Sequence, residues 1–143
     1  MTRQEKNIET LWGVWREKYT CTLMGSVGME LDHIGVGGVR GRMAIGPQVH
    51  QLYGMLHGGA SVAFAETLCS VGAYVHINGD THYCVGLEIN ANHVRGAVQG
   101  MAHGEARPVH IGKSTQVWQI EIRNEEGKLL CTSRCTVAVV PKE

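Results

Sequence analysis

The chain carries no excess of charge: 13 basic side chains balance 13 acidic ones over 143 residues. No strong field recruits nucleic acid or an anionic membrane surface, so neither is expected as a partner. No apolar run approaches the length of a membrane span, and the start of the chain does not read as a signal peptide. The five cysteines, Cys21, Cys69, Cys84, Cys131 and Cys135, are odd in number and form no CxxC pair. Three of them sit in apolar segments, where free cysteine behaves as a small hydrophobe, so a reduced, cytoplasmic protein is expected. The eight histidines include no HExxH and no tight His/Cys cluster, which argues against a metal site. A GxSxG elbow is missing as well, which counts against an α/β-hydrolase triad. Gly35, Gly37, Gly38 and Gly41 fail as a dinucleotide fingerprint, because Arg40 stands where a glycine is required and no helix pattern follows. A hairpin explains those glycines better. With no linker, repeat or low-complexity stretch, the expected organisation is a single domain over residues 1–143, long enough to bury a core without disulfides or metal.

What is present falls into a clear order. Arg3 to Lys18 is charged and carries Ile8, Leu11, Trp12 and Trp15 at helical spacing, an amphipathic helix lying on something larger within an N-terminal segment of about residues 1–25. Ser26 to Ile34 and Val36 to Ile45 read as strands. Ala60 to Asn78 is apolar nearly all round, which marks a core helix. Tyr83 to Val94 alternates, with Val85, Leu87 and Ile89 expected on one face. Val98 to Arg107 reads as a weaker strand broken by Pro108, Ser114 to Arg123 alternates cleanly, and Lys128 to Val140 is the last strand. Strands, one core helix and then consecutive antiparallel strands make an α+β domain, satisfied by one sheet wrapped around one long helix.

Glu66 contradicts its surroundings. It lies in the middle of the apolar helix, with no Lys or Arg three or four positions away to pair with it. Burying a carboxylate without a partner is costly, so its presence asks for a reason. Ser70 lies one turn later on the same face. A bland alternative has Glu66 in solvent or paired with a distant cation such as Arg95.

The turn before the helix, His57-Gly58-Gly59, strengthens the functional reading. The first N–H groups of a helix lack internal partners and carry partial positive charge. Gly58 and Gly59 allow a substrate carbonyl to approach them, and charge developing on its oxygen would be stabilised there. Glu66 follows on the order of 10 Å further along the axis, with its side chain directed back toward the helix start. A carboxylate and an oxyanion site bracketing one carbonyl carbon is an acyl-transfer geometry. His57 has two readings, orienting the turn through a backbone hydrogen bond or assisting catalysis, and His93 and His110 sit at strand ends.

The run from Gln51 through Leu56 to His57-Gly58-Gly59-Ala60-Ser61, with Glu66 behind it, resembles the hotdog-fold acyl-CoA thioesterases. So do Val85 to Arg95 and Val117 to Ile122. Together these strings look most like the 4-hydroxybenzoyl-CoA and 1,4-dihydroxy-2-naphthoyl-CoA branch, within the phenylacetate-degradation group, over about residues 29–139. The resemblance implies a hotdog fold, an antiparallel sheet around one central helix, here with an extra N-terminal helix. It implies that Glu66 attacks the thioester or activates water, that Gly58 donates its N–H to the carbonyl oxygen, and that Gln51 lines the site. It implies that Ser70 helps place water and that His57 assists near the thioester. Coenzyme A, part of the substrate rather than a cofactor, would be held by Gly86, by His93, Val94, Arg95 and Gly96, and by the loop of His110, Gly112, Lys113, Ser114 and Thr115. Arg95 and Lys113 suit its phosphates. A homodimer or homotetramer is implied too, with Glu66 from one subunit and Gln51 and Gly58 from the other. The segment with Trp12, Trp15 and Cys21 departs from that pattern.

Two rivals are weighed against this. A hydroxyacyl thioester dehydratase would use His57 with Glu66, but the proline-rich loop expected at such a histidine is replaced by Gly58-Gly59-Ala60. A non-catalytic acyl-CoA-binding module has no need of a costly carboxylate. Tyr53, Met55, Phe64 and Tyr74 are candidate walls for a flat aromatic or a medium-chain acyl group.

Overall fold

The computed structural model describes residues 1–143. Helix α1 covers Arg3–Lys18, the span expected from its periodicity. Thr2 caps it: its hydroxyl accepts from the Glu5 N–H at 3.1 Å, and the Glu5 carboxylate accepts from the Thr2 N–H at 2.6 Å. Arg16 and Lys18 in the last turn complement the helix dipole. After one 3-10 turn at Tyr19–Cys21 comes the short α2, Leu23–Val27. It ends at Gly28, whose φ of 73° gives a left-handed cap. That helical turn takes Ser26 and Val27, so the first strand starts later than the sequence suggested, at Met29.

Six strands follow: β1 Met29–Gly35, β2 Gly38–Ile45, β3 His82–His93, β4 Gly100–Ile111, β5 Thr115–Arg123 and β6 Leu129–Pro141. They form one antiparallel sheet in the order β1-β2-β4-β5-β6-β3. The glycine cluster is indeed the β1–β2 hairpin, closing with Gly35 opposite Gly38. The long helix, α3, covers Gly58–Val75 and packs across the sheet. It starts earlier and ends earlier than Ala60 to Asn78, because His57 caps it and Asn7 closes it.

The core lies between α3 and the sheet. Phe64, Leu68 and Cys69 of α3 meet Met43, Trp118, Ile120, Ile122 and Leu130, all buried. Each large side chain so buried contributes about 1.5–3 kcal/mol. The helix lies close to β4 because Gly104 lacks a Cβ, which would stand 2.6 Å from Leu68 and 2.9 Å from Phe64. Buried polar groups inside this layer are satisfied: the Trp118 indole donates to Gln116 Oε1 at 2.9 Å, and Gln116 Nε2 donates to the Ala73 carbonyl at 3.2 Å. Phe64 is thus a core residue and not a wall of an open pocket.

Three expectations, two about strands and one about the long helix, fail for identifiable reasons. Strand β4 runs through Pro108 to Ile111, because Pro108 lies beyond the last β2 pairing, Val39 with Ala106, and a register shift between Pro108 and His110 absorbs it. Strand β3 carries a bulge between Gly86 and Glu88 that reverses its facing. Cys84 and Gly86 therefore point toward α3, while Val85 and Leu87 are exposed and Ile89 turns inward beyond the bulge. Helix α3 is not sealed all round either: Val62, Ala63, Glu66, Thr67, Ser70 and Val71 form a half-buried stripe along it.

Helix α1 is fastened to the far end of α3. Asn7 Nδ2 donates to the carbonyls of Tyr74, Val75 and Ile77 at 2.9, 3.2 and 2.9 Å, satisfying groups that the helix end leaves without partners. Tyr74 belongs to this closure, its ring packed on Gly79, and stands at the opposite end of α3 from Gly58. Replacing Asn7 by Ala strands those carbonyls and should destabilise the protein by about 1–3 kcal/mol, lowering Tm by roughly 4–8 °C in calorimetry. A Tm within a degree of the parent would show that α1 is not held this way.

Candidate active site

Two clusters of residues, on two sides of α3, carry the chemistry. The first is at the helix start. His57 Nδ1 accepts from the Gly59 N–H at 2.8 Å, and the N–H groups of Ala60 and Ser61 go to the His57 carbonyl at 3.0 and 3.2 Å. This leaves the Gly58 N–H, at the first position of α3, without a partner. Of the two glycines, only Gly58 therefore offers a free donor. The hydrogen bond also fixes His57 as the tautomer with its proton on Nε2. The helix-orienting reading of His57 holds, and a free imidazole paired with Glu66 does not occur within the chain.

Gly58 opens into a cavity of about 370 Å³ lined with Gln51, Met55, Ser61, His93, Val94, Arg95 and Gly96. His93 packs over the glycine: a Cβ at position 58 would lie 2.9 Å from His93 Nε2. Glycine is thus required there sterically, and Arg95 lines the same cavity. The Gln51 amide is half committed, its Oε1 accepting from the N–H groups of Tyr53 and Met55 at 2.5 and 3.4 Å, which leaves Nε2 to reach a ligand. Ser61, one turn after Gly58 and 3% exposed, was missed in the sequence analysis. A polar residue three positions after the donor glycine, on an otherwise apolar helix, was the available signal.

The second cluster surrounds Glu66. Its carboxylate lies against Gly86, whose Cβ would stand 3.5 Å from Glu66 Oε2. None of the seven ion pairs in the chain includes Glu66, and Arg95, the distant cation that could have neutralised it, belongs to the Gly58 cavity. Ser70, one turn beyond Glu66 on the same half-buried stripe, accepts from the Cys84 thiol through its backbone carbonyl at 3.9 Å. Cys69 and Cys135 line the floor, both fully buried. A hydrogen bond to Cys135, together with burial, holds the Cys69 thiol far above its ordinary range, and the same bond lowers Cys135 while burial opposes it. Burial also raises Cys84 and Cys131. The Cys69 and Cys84 thiols beside Glu66 are accordingly protonated at neutral pH, and Glu88 is a second carboxylate close enough to act on Cys135.

One chain does not bring the two clusters to a single substrate carbonyl. Glu66 is eight residues beyond Gly58, about 12 Å of helix rise, and it is not among the residues lining the cavity. The expected coenzyme A contacts are divided in the same way. His93 pairs with Cys131, whereas Thr115 pairs with Ala138 and through it lies level with Val85. From Cys131 to Ala138 is about 23 Å along β6, so His93 to Gly96 and the His110 to Thr115 hairpin lie toward opposite ends of the sheet. Gly86, assigned to coenzyme A by resemblance, sits beside Glu66. A separate cavity of about 450 Å³ on the outer sheet face is lined entirely by polar residues or glycine, among them Arg40, Glu105, Arg107 and Glu121, and contains none of the predicted site residues. No helix is long and apolar enough to cross a membrane.

A six-stranded antiparallel sheet packed on one long helix, with a lone carboxylate in that helix and a free N–H at its start, is a hotdog fold equipped for acyl transfer. The Thioesterase superfamily model matches residues 53–131, more than half of the chain. The 1,4-dihydroxy-2-naphthoyl-CoA hydrolase of Escherichia coli K12 is 40% identical over 136 residues, covering 89% of this chain and 99% of that one. A Vibrio cholerae protein is 63% identical over 90 residues, a match that spans 63% of this chain but 59% of that protein. Among solved structures, a glutamine-to-alanine mutant of thioesterase PA1618 from Pseudomonas aeruginosa superposes with a TM-score of 0.85 at 36% identity, covering 94% of each chain. The chain belongs to the thioesterase superfamily, and as such it is an enzyme that hydrolyses thioesters.

Proposed function

We propose that the substrate is an acyl-CoA, with an aromatic or medium-chain acyl group, and that the site forms between two subunits. The observation that carries this reading is the separation of two incomplete halves: an unpaired Glu66 beside Gly86, and an unpartnered Gly58 N–H in a cavity with Gln51, His93 and Arg95. Strand β3 lies at the edge of the sheet, runs twelve residues, and exposes Tyr83, Val85 and Leu87. An exposed apolar edge of that length invites pairing with another strand. Two copies joined β3 to β3 about a two-fold axis run antiparallel, so the His93 end of one strand meets the N-terminal half of the other. That brings Gln51, Gly58 and His93 to Gly96 of one subunit toward Glu66, Ser70 and the His110 to Thr115 hairpin of its partner. A dimer of this kind could pair again into a tetramer.

In the reaction, Gly58 binds the thioester oxygen and stabilises the charge that develops on it, with Gln51 Nε2 as a second donor. Glu66 either attacks the carbonyl carbon or takes a proton from a water held by Ser70. The carbon–sulfur bond breaks and the thiolate of coenzyme A leaves and is protonated; on the nucleophilic route water then hydrolyses the acyl–Glu66 anhydride and restores the carboxylate, and on both routes water supplies the oxygen gained overall. Arg95 and Lys113 pair with phosphate groups of the coenzyme. No further cofactor is required, and five unpaired thiols suit a reducing cytoplasm.

Thiol release from a panel of aryl and alkyl acyl-CoAs tests the proposal: hydrolysis of at least one class is expected, and hydration of an enoyl thioester without thiol release would replace it with a dehydratase. Gln51→Ala should lower kcat by about 10²-fold, as loss of one polarising donor does; a variant as fast as the parent removes Gln51 from the site. Arg95→Ala should raise KM more than it lowers kcat, and the reverse pattern would argue against a phosphate contact.

A further inference from the structure

The turn between β2 and α3 is tied down along its backbone and bare at its tip. The Gln51 N–H donates to the Met55 carbonyl at 2.8 Å and the Gly54 N–H to the Gln51 carbonyl at 2.9 Å. Gly54 sits at φ 78°, a conformation that a side chain would strain. The Gln51 amide oxygen fills the turn by accepting from Tyr53 and Met55, and His50 bridges to Leu56 across its base. The whole unit is pinned beyond the C-terminal end of β3: the Leu56 N–H donates to the Ala97 carbonyl at 2.7 Å, and His50 Nε2 meets the Val98 carbonyl at 2.7 Å. Yet Leu52 and Tyr53, at the tip, are 105% and 88% exposed. A large side chain presented on a turn whose backbone is already fixed brings little backbone-ordering cost to binding. Tyrosine adds a flat face with few rotatable bonds, which suits contact with a planar group.

We infer that Tyr53 reads the acyl group in the site shared with the partner subunit, its ring lying against an acyl group whose carbonyl carbon faces the partner subunit's Glu66, and so favours flat acyl groups over linear ones. This rests on the shared site described above. Within its own chain Tyr53 belongs to the His93 end of β3, whereas Glu66 lies against Gly86 in the other half. The antiparallel pairing that moves Gly58 toward the partner's carboxylate necessarily carries this tip with it.

The test is the ratio of kcat/KM for a benzoyl-type CoA thioester to that for a linear six- to eight-carbon one. Tyr53→Ala should lower this ratio about tenfold or more, while Tyr53→Phe, which keeps the ring, should hold it within about threefold of the parent. A partly misfolded variant loses both rates together, so the ratio is insensitive to folding. An unmoved ratio in Tyr53→Ala overturns the proposal. A purified heterodimer of one Glu66→Ala chain and one Tyr53→Ala chain decides whose ring is used. Its competent site combines Glu66 of one chain with Tyr53 of the other and should show the parent's ratio; the Tyr53→Ala ratio there would place the ring in its own chain. A parent protein that hydrolyses neither thioester overturns the thioesterase reading itself, a result distinct from an active parent whose ratio ignores Tyr53.

Discussion

Glu66→Ala is expected to lower kcat by at least 10³-fold while Tm stays at or above that of the parent. The first part follows from the role of the carboxylate: it either attacks the carbonyl or directs water, and an alanine at the same point of the helix can do neither. The second follows from its isolation. Glu66 forms no ion pair, so its removal breaks none, and alanine is the better helix former at this half-buried position. Loss of activity together with retained stability separates a functional carboxylate from a structural one. Activity within tenfold of the parent would remove Glu66 from the mechanism. Glu66→Gln distinguishes charge from shape: it keeps the volume beside Gly86 and should be as inactive as the alanine variant.

The second large effect concerns assembly. Val85→Lys combined with Leu87→Lys places two charges on the outer face of the edge strand, away from α3 and the Glu66 carboxylate. On a two-fold interface every substitution occurs twice, so four lysines enter one apolar seam and the penalty is doubled by symmetry. The variant should sediment as a folded monomer and lose more than about 10²-fold in kcat, because Gly58 and Glu66 would no longer meet at one substrate. A monomeric variant with the parent's activity would mean that one chain holds a complete site. A variant that stays oligomeric would mean that subunits join through a surface other than β3.

Much of this fold is legible in the sequence where periodicity is strong. The α1 span, the buried face of β5 at Trp118, Ile120 and Ile122, and the glycine hairpin of β1 and β2 were readable because burial on one side imposes a single period. The errors arise where a local device interrupts that period. The bulge at Gly86 turns Val85 and Leu87 outward, a left-handed Gly28 closes a helical turn where a strand was expected, and a register shift carries β4 past Pro108. At the site, Glu66 and Gly58 stood out because each breaks its own context. Ser61 did not, since a serine near a helix start has many bland explanations. Nor could spacing alone show that His57 is engaged by Gly59, or that the two proposed coenzyme A segments lie toward opposite ends of the sheet, because both depend on how strands far apart in sequence pair. Phe64 was misread as a wall for the same reason: the missing Cβ atoms of Gly104 and Gly41, on two paired strands, make room for it in the core.

The most direct test of a site divided between subunits is complementation. Glu66→Ala and Gln51→Ala chains, each impaired alone, are mixed under conditions of subunit exchange, and thiol release is followed on a single acyl-CoA. In a mixed dimer one site receives native Glu66 from one chain and native Gln51 from the other, and the second site carries both defects. Statistical pairing puts about half of the dimers in this mixed state, so activity should recover to about a quarter of the parent's. Mixing that yields no more than the sum of the two variants would show that Glu66 and Gln51 act within the same chain and would contradict the shared site.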